Sequence, residues 1–428
     1  MIGYLKFLYE KNFKSPELLT NDKDHRAAST LELFMDLAFV GALSSLVHFL
    51  VGADHINGNV IYGFMIRYGS VFAIWYNLVW YNNLYENKTM RHRLIMLLII
   101  LSVIGQQVAF NAENSIQYHF LLISYSFSRF LELFLWITST YNKKNKNILL
   151  KKSSIFYMLG IGYSAIFHLL FFNTKVNYFV WTSTVIMELI LPTILFNIIV
   201  SNAQKKGCKE IIPVHNELFI ERFGLLFLLV LGEGIVSLTN VMSHFEYDLM
   251  PTIRDVLIIG LIIYGIWESY YDIVLGEQNK YDPKYIIHWS FLNMIMCLGI
   301  TMAMGTVGEI IHPHHKENLH ILMMIHLIGI AIYNICLHIV ISFRDERIKQ
   351  FSFINNKIIL DKQAIKFARK VYFFTGIILL IIAFIPNLNV TITLGATFLS
   401  SIQFLFVKQY VAYKSFEKCI DGQSNDRR

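Results

Sequence analysis

Cysteine and charge are both scarce in this chain of 428 residues. None of its four cysteines has CxxC spacing and two lie inside apolar runs, so neither a disulfide framework nor a thiolate metal site is indicated. Charged residues make up 16%, against about 25% in an ordinary soluble domain, while 55% of residues are hydrophobic and the mean hydropathy is +0.48. This composition excludes a soluble globular enzyme and a disordered chain.

Soluble catalytic motifs are also missing, because the chain contains no HExxH, P-loop, GxSxG or GxGxxG following a strand. The net charge of +7 and the pI near 9.0 are compatible with nucleic-acid binding. In a membrane protein, however, the position of basic residues matters more than their total. We therefore expect no nucleic-acid partner, and the type of cofactor stays unknown.

Long apolar runs are the main feature of the sequence. A bilayer span needs roughly 20 consecutive apolar residues, and the first such run contains Glu32 and Asp36 and lacks a small-residue cleavage site, so we assign it as a span and not a signal peptide. The predicted spans are 31–51, 60–82, 94–112, 119–140, 154–173, 178–200, 217–239, 251–275, 285–308, 319–343, 371–386 and 389–407.

The distribution of lysine and arginine supports twelve spans. Of the 37 basic residues, 31 fall in the two termini and in alternate loops, two (Lys175 and Lys316) fall in the intervening loops, and four fall within spans. Because lysine and arginine concentrate in cytoplasmic loops, this bias predicts that both termini are cytoplasmic. One missing or extra span in mid-chain would destroy the pattern.

An internal repeat appears when the chain is offset by about 190 residues. The segment from Glu32 to Leu37 then lies over Glu221 to Leu226, and Ile74-Trp75 lies over Ile266-Trp267. We predict an all-α polytopic membrane protein with about 12 transmembrane helices, arranged as two parallel six-helix repeats. The predicted organisation is a cytoplasmic N-terminal segment (1–30), a first repeat (31–200), a cytoplasmic linker (201–216), a second repeat (217–407) with a long cytoplasmic loop (about 344–370), and a cytoplasmic tail (408–428).

Glu32 and Asp36 lie four residues apart, which places two carboxylates on one helix face where they repel each other. A cation, an arginine or a bound proton would relieve this repulsion. One interpretation is a proton or cation site. The other is a pair of interfacial carboxylates that favour the positive N-terminal end of the helix.

Glu233 lies between Gly232 and Gly234 in an otherwise apolar run. Glycines permit close backbone approach, and transporters use broken helices to present backbone groups to ligands. Glu233 is therefore a candidate substrate or proton site. The alternative is a glutamate packed against an arginine, for which Arg67 is the candidate because it lies at a similar depth in the outer half of the membrane.

Other ionisable residues in the apolar runs need a partner, water or a function, because a charge in hydrocarbon costs at least about 2.5 to 3.5 kcal/mol. Arg129 and Glu132 are three residues apart and are predicted to form a structural ion pair. Pro192 follows Glu188 by four residues and is expected to kink the sixth helix. The remaining candidates for substrate, proton or cation binding are Glu188, Glu221, Arg222, Glu268 and Asp272.

Histidines crowd one predicted outer loop. His312, His314 and His315 form a weak candidate for metal binding through imidazole nitrogen, next to the simpler interpretation of a solvated loop. We expect no metal site.

Two stretches resemble the bacterial low temperature requirement A (LtrA) family of multi-pass membrane proteins. Residues 31–40, LELFMDLAFV, are similar to the family's ELFFDLVFV opening, with Met35 in place of its second aromatic. Residues from Glu221 to Glu233 are similar to its ERFGL…LGE segment. The resemblance implies an integral membrane protein of poorly defined activity and supplies no catalytic residues. No family motif is visible beyond about residue 345.

The sequence leaves three functions open. The first is a secondary transporter or permease for a small molecule or ion, with buried carboxylates coupling to protons or cations. The second is an intramembrane enzyme or a protein that binds lipid or a hydrophobic cofactor, and the third is a non-catalytic stress sensor. We lean away from an enzyme, expect a multi-pass protein of the bacterial cytoplasmic (inner) membrane, and leave a homodimer open. Aromatic residues that could line a lipid cavity, or instead form an interfacial belt, are Tyr76, Trp80, Tyr81, Trp267, Tyr270 and Tyr271.

Overall fold

A computed structural model describes most of the chain. The described residues are 17–18, 28–86, 89–110, 115–142, 146–170, 178–206, 214–242, 249–275, 283–313, 315–345, 351–353, 356–358 and 362–425. The chain divides into two compact units. Unit 1 comprises Met1–Leu226 and Gln278–Ser290, and unit 2 comprises Phe227–Glu277 and Phe291–Arg428.

The architecture is all-α. Helices α1 to α8 are Thr30–Val51, Gly58–Leu84, Met90–Ala109, Ser115–Thr140, Ile148–Leu170, Tyr178–Val185, Leu191–Lys205 and Asn216–Met242. Helices α9 to α13 are Leu249–Tyr270, Pro283–Ile311, Leu319–Asp345, Lys362–Ala383 and Val390–Asn425. A 3-10 turn, Lys316–Asn318, precedes α11.

Strands are limited to two short antiparallel ladders among the described residues. In the first, β1 (Glu17–Leu18) pairs with β2 (Tyr85–Glu86), so that Glu17 lies opposite Glu86. In the second, β3 (Phe351–Phe353) pairs with β4 (Asn356–Ile358). These ladders are too short to form a core, which is helical in both units.

A π turn, Ile186–Ile190, joins α6 to α7 as one continuous helix. The Leu191 N–H donates to the carbonyl of Ile186, five residues back. Pro192 follows directly and has no N–H to donate to the carbonyl of Glu188, so regular α-helical bonding cannot continue here. The irregularity that Pro192 predicts therefore takes the form of a π turn that contains Glu188.

Each of the twelve predicted spans overlaps a helix, if α6, its π turn and α7 are counted as one. Within the described residues, eight helices are long and apolar enough to cross a membrane. All twelve predicted spans are therefore helical among the described residues, but only eight helices are long and apolar enough to be candidate membrane spans. Helix α2 illustrates the difference, because its 27 residues are long enough but include many tyrosines, tryptophans and asparagines that lower its hydropathy.

Helix α3 shows why the chain belongs in a bilayer. Its buried face carries apolar side chains such as Met96, Ile99 and Val103. Its opposite face exposes Leu97 and Leu101 at 42% and 53%. A surface helix of a soluble protein is polar on its outer face, whereas a helix that is apolar all round is typical of a lipid-exposed position.

Aromatic side chains of α2 fill the interior of unit 1. Trp80 lies 4.8 Å from Phe219 and 5.6 Å from Phe196 between ring centroids. Trp136 stacks on Tyr157 at 5.5 Å. Because these rings are almost completely buried, in unit 1 they form a packed core and not an interfacial belt.

Unit 2 contains a close approach of two helix backbones. Gly299 of α10 and Gly329 of α11 face each other, and a Cβ atom added at either glycine would overlap the carbonyl oxygen of the other. His326, on the same stretch of α11, lies 2.8 Å from the carbonyl oxygen of Ala303 and 3.1 Å from Thr397. Small residues and hydrogen bonds between helices are the usual means of helix association in membranes.

Candidate functional site

The two motif segments of the sequence meet within unit 1, in what we call the Asp36 cluster (Glu32, Asp36 and Arg222). Arg222 of α8 donates two hydrogen bonds to Asp36 of α1, with Nε 2.8 Å from Oδ2 and Nη2 2.6 Å from Oδ1. Its Nη1 lies 3.6 Å from Oε1 of Glu32. This parallel, two-bond arrangement is the strong form of an arginine–carboxylate interaction.

Neighbouring groups hold the Asp36 cluster in place. Trp75 of α2 donates from its indole N–H to Asp36 Oδ1 at 2.7 Å. The same indole ring packs against the edge of Phe223, the residue after Arg222, at 4.9 Å. Asp36 is thus bound from two helices while it is 1% exposed.

The capping interpretation of Glu32 has a counterpart in the structure, whereas the proton or cation site stays a prediction. Its carboxylate accepts a hydrogen bond from the Ser29 N–H at 2.7 Å, and its own N–H donates to Ser29 Oγ, which completes a capping box at the start of α1. At the same time Arg222 lies between Glu32 and Asp36 and relieves their repulsion. Glu221 is half-buried and accepts a hydrogen bond from the Ala28 N–H at 3.0 Å.

A second buried group, which we call the Glu188 cluster (Arg129, Glu132 and Glu188), also lies within unit 1. Arg129 Nη1 donates to Glu132 Oε2 at 2.5 Å, one turn along α4. Arg129 Nε lies 3.2 Å from Oε1 of Glu188, in the π turn after α6. All three side chains are 0% exposed.

The Glu188 cluster differs from its sequence-based interpretation. Arg129 and Glu132 do form the predicted pair, but Glu188 belongs to the same network, so the pair is not isolated. Tyr125 extends the network, because its hydroxyl donates to Glu188 Oε2 at 3.0 Å and its ring lies 5.1 Å from the Arg129 guanidinium. Tyr125 was not among the predicted residues. Its position, one turn before Arg129 on the same helix face, was the available signal.

Glu233 lies in unit 2 and is 8% exposed. Its two flanking glycines differ in how closely other atoms approach them. A Cβ atom at Gly232 would meet nothing within 4 Å, whereas one at Gly234 would lie 2.9 Å from the sulfur of Met304. Close helix packing therefore applies to Gly234 alone. Arg67 belongs to unit 1, where its guanidinium lies 4.3 Å from the Phe49 ring centroid. The predicted pairing of Arg67 with Glu233 stays a prediction.

Glu268 and Asp272 share a partner in unit 2. Lys408 of α13 lies 3.0 Å from Glu268 and also pairs with Asp272. Asp272 belongs to a second π turn, Tyr271–Leu275, at the end of α9. Lys408 was not predicted, because nothing in the sequence indicates that α13 lies beside α9.

The predicted histidine cluster lies partly within the described residues. His312 is half-buried and His315 is exposed, while His314 lies outside the described residues. Within the described part of the chain, no group of three or more histidine, cysteine, aspartate or glutamate side chains could hold a metal ion.

Unit 2 also contains a cavity of about 420 Å³. Its lining is mainly apolar and includes Leu257 and Leu394, with Arg254 and Asp255 as its charged members. Arg254 Nε donates to Asp255 at 2.8 Å, and the arginine side chain is 66% exposed. The cavity thus combines an apolar wall with a neutral ion pair.

Comparison with known proteins assigns the family. The model of the bacterial low temperature requirement A protein (LtrA) family matches residues 27–403, which include both clusters. No curated protein and no solved structure matches the chain. Together with the eight apolar helices found in the described part of the chain, the family match indicates a multi-pass membrane protein. The chain therefore belongs to the bacterial low temperature requirement A family.

Proposed function

We propose that the protein is a secondary transporter or permease of the bacterial cytoplasmic membrane, which moves a small molecule or ion and is driven by a proton or cation. In this proposal twelve helices form two parallel six-helix repeats with both termini in the cytoplasm. The bias of basic residues among the loops and the twelve helical segments among the described residues, with α6, its π turn and α7 counted as one, support this topology.

The Asp36 cluster is the observation on which the proposal rests. A buried ion pair contributes little net stability, because removing two charges from water costs about as much as their attraction returns. Glu32, Asp36 and Arg222 nevertheless lie together in the interior of unit 1, with two carboxylates for one guanidinium. Ionisable groups inside a membrane protein typically mark substrate, ion or proton pathways.

The cluster suggests how coupling would operate. It joins α1 to α8, the first helices of the two proposed repeats, through hydrogen bonds from Arg222 to Asp36. Protonation of a carboxylate in the cluster would weaken its attraction to Arg222 and thereby loosen the link between these helices. A proton or cation gradient could in this way bias the movement of one helix relative to the other.

Reconstituted protein tests the proposal. Proteoliposomes would contain a trapped pH-sensitive dye, and amino acids, sugars, nucleosides and organic cations would be added one at a time. We expect at least one solute to cause proton movement, and Asp36→Asn to reduce that movement at least about tenfold, equivalent to about 1.4 kcal/mol. Glu317→Gln, an exposed carboxylate outside both clusters, is the matched control. Substrate uptake that is unaffected by the pH gradient and by Asp36→Asn would refute the coupling.

The cavity of unit 2 favours lipid binding as a second candidate function. Its mainly apolar lining suits an acyl chain, and the pair of Arg254 and Asp255 could contact a polar head group. Native mass spectrometry of purified protein would detect a retained lipid. Gly395→Trp would fill the cavity, because a Cβ atom at Gly395 meets nothing within 4 Å, and should abolish retention.

A further inference from the structure

The Glu188 cluster holds one positive side chain and two acidic ones. Arg129 contacts Glu132 at 2.5 Å and Glu188 at 3.2 Å, and no part of the three side chains is exposed. If both carboxylates were ionised, the cluster would carry a net charge of −1 in the interior of unit 1. An uncompensated charge in such surroundings costs several kcal/mol.

The other described groups that contact the cluster do not supply a fixed positive charge. Helix α2 contributes the carbonyl oxygen of Ser70, 3.5 Å from Arg129 Nη2, and α4 contributes the neutral phenol of Tyr125. Helix α5 contributes His168, whose ring lies 4.9 Å from the Tyr125 ring and whose Nε2 is 3.3 Å from the hydroxyl of Thr184. His168 is the one further titratable side chain that these described contacts bring to the cluster.

Two carboxylate oxygens in the cluster, Oε1 of Glu132 and Oε1 of Glu188, are buried and accept no hydrogen bond from the described residues. Arg129 donates to Oε2 of Glu132, and its Nε lies 3.2 Å from Oε1 of Glu188 as an ion-pair contact without a hydrogen bond. A buried charged acceptor without a partner is costly, and a proton on one of the two carboxyl groups lowers that cost and removes the excess charge. The two orphaned oxygens thus point to a bound proton independently of the charge count.

We propose that the Glu188 cluster is a proton-binding site, in which Glu132 and Glu188 together hold one proton at neutral pH and Arg129 balances the remaining carboxylate. The inference rests on the geometry of unit 1 and does not require that the protein transports anything. The proton belongs to the pair, because Arg129 contacts both carboxylates and each is close enough to repel the other.

A metal cation is a poorer occupant than a proton. The guanidinium of Arg129 already lies between the carboxylates and would repel a second cation. Hard cations also need about six oxygen ligands, whereas a proton needs only one oxygen to bond and one to accept. The π turn that contains Glu188 favours an exchangeable site, because π turns interrupt regular hydrogen bonding and are frequent at functional positions.

Infrared difference spectroscopy of the full-length protein in liposomes tests the site. At pH 7 we expect the carbonyl band of a protonated carboxylic acid, shifted in heavy water. Glu132→Gln and Glu188→Gln each leave one carboxylate to balance Arg129, so each variant should lose that band. His168→Phe and the control Glu317→Gln should retain it.

Two results of this experiment would overturn the proposal. Persistence of the same band in either glutamine variant would overturn the proposal that the two carboxylates share one proton. Absence of the band from wild-type protein at pH 7 would overturn the proposal without any variant, and would indicate that His168 or a bound cation balances the charge. Circular dichroism and gel filtration would establish that each variant is folded. Because the readout is proton binding and not flux, a failed transport assay leaves this test intact.

Discussion

Replacing Arg222 by glutamine should destabilise the protein more than any other single change in the Asp36 cluster. The substitution removes the two hydrogen bonds to Asp36 and the ion pair with Glu32, and leaves both carboxylates in a site where Asp36 is 1% exposed. Removing one partner of a buried ion pair costs about 3 to 5 kcal/mol. We expect Arg222→Gln to lower the free energy of unfolding by that amount.

A double-mutant cycle isolates the interaction. Asp36→Asn alone should cost less, because Arg222 keeps Glu32 at 3.6 Å. The double variant Asp36→Asn/Arg222→Gln should be more stable than the sum of the single effects predicts, with a coupling energy of about 1 to 3 kcal/mol. Trp75→Phe is the matched control, since it removes one hydrogen bond to Asp36 and should cost about 1.5 to 3 kcal/mol.

Reversible unfolding in mixed detergent micelles, followed by tryptophan fluorescence, would measure these values. The Trp75→Phe variant needs circular dichroism instead, because it removes a reporter. Additive single effects, or an Arg222→Gln variant within 1 kcal/mol of wild type, would show that the contacts between α1 and α8 do not carry the energy assigned to them.

Four further substitutions test the packing and the charges. Gly160→Ala should destabilise the protein by about 1 to 3 kcal/mol, because the new Cβ would overlap the carbonyl oxygen of Met187. Its control is Gly162→Ala, whose Cβ would lie 3.7 Å from the nearest atom and which should change the free energy of unfolding by no more than about 1 kcal/mol in the same assay. Gly232→Ala should be neutral or stabilising by up to about 1 kcal/mol, since its Cβ meets nothing within 4 Å, and a clear loss of stability would contradict that geometry. Lys408→Met should cost no more than about 1 kcal/mol, decreasing with added salt, because the lysine is 27% exposed; a larger, salt-independent loss would refute the screening argument.

Local patterns were enough to predict the helices and the residues of the Asp36 cluster. Runs of about 20 apolar residues are reliable indicators of helices, because a segment that crosses the hydrocarbon core must satisfy its backbone hydrogen bonds internally. The repulsion between Glu32 and Asp36 follows from helix geometry alone. It predicted that a cation, an arginine or a proton lies beside the two carboxylates, but it did not indicate which residue. Arg222 was among the candidates, but its distance of 186 residues from Asp36 made the pairing invisible to local reasoning.

Contacts between distant helices account for what the sequence did not predict. Glu188 joins Arg129 from 59 residues away, and Lys408 reaches Glu268 across 140 residues. Neither link follows from periodicity, because a helix that is apolar on all sides does not indicate which neighbour it packs against. The π turn at Ile186–Ile190 was predicted only as an irregularity, since proline shows where regular bonding fails but not what replaces it.

Two π turns among the described residues each contain an acidic residue, and the surroundings of these two residues differ. Asp272, in the turn Tyr271–Leu275, is 37% exposed and pairs with Lys408, so water and salt can replace its partner at little cost. Glu188 is 0% exposed, and separating it from Arg129 would leave two buried charges. The ion pair of Asp272 can therefore be broken by movement of side chains, while the carboxylate stays charged in water. At Glu188 the ion pair can be broken at low cost only if a proton neutralises the carboxylate, which is why the buried turn, and not the exposed one, is the place to look for proton binding.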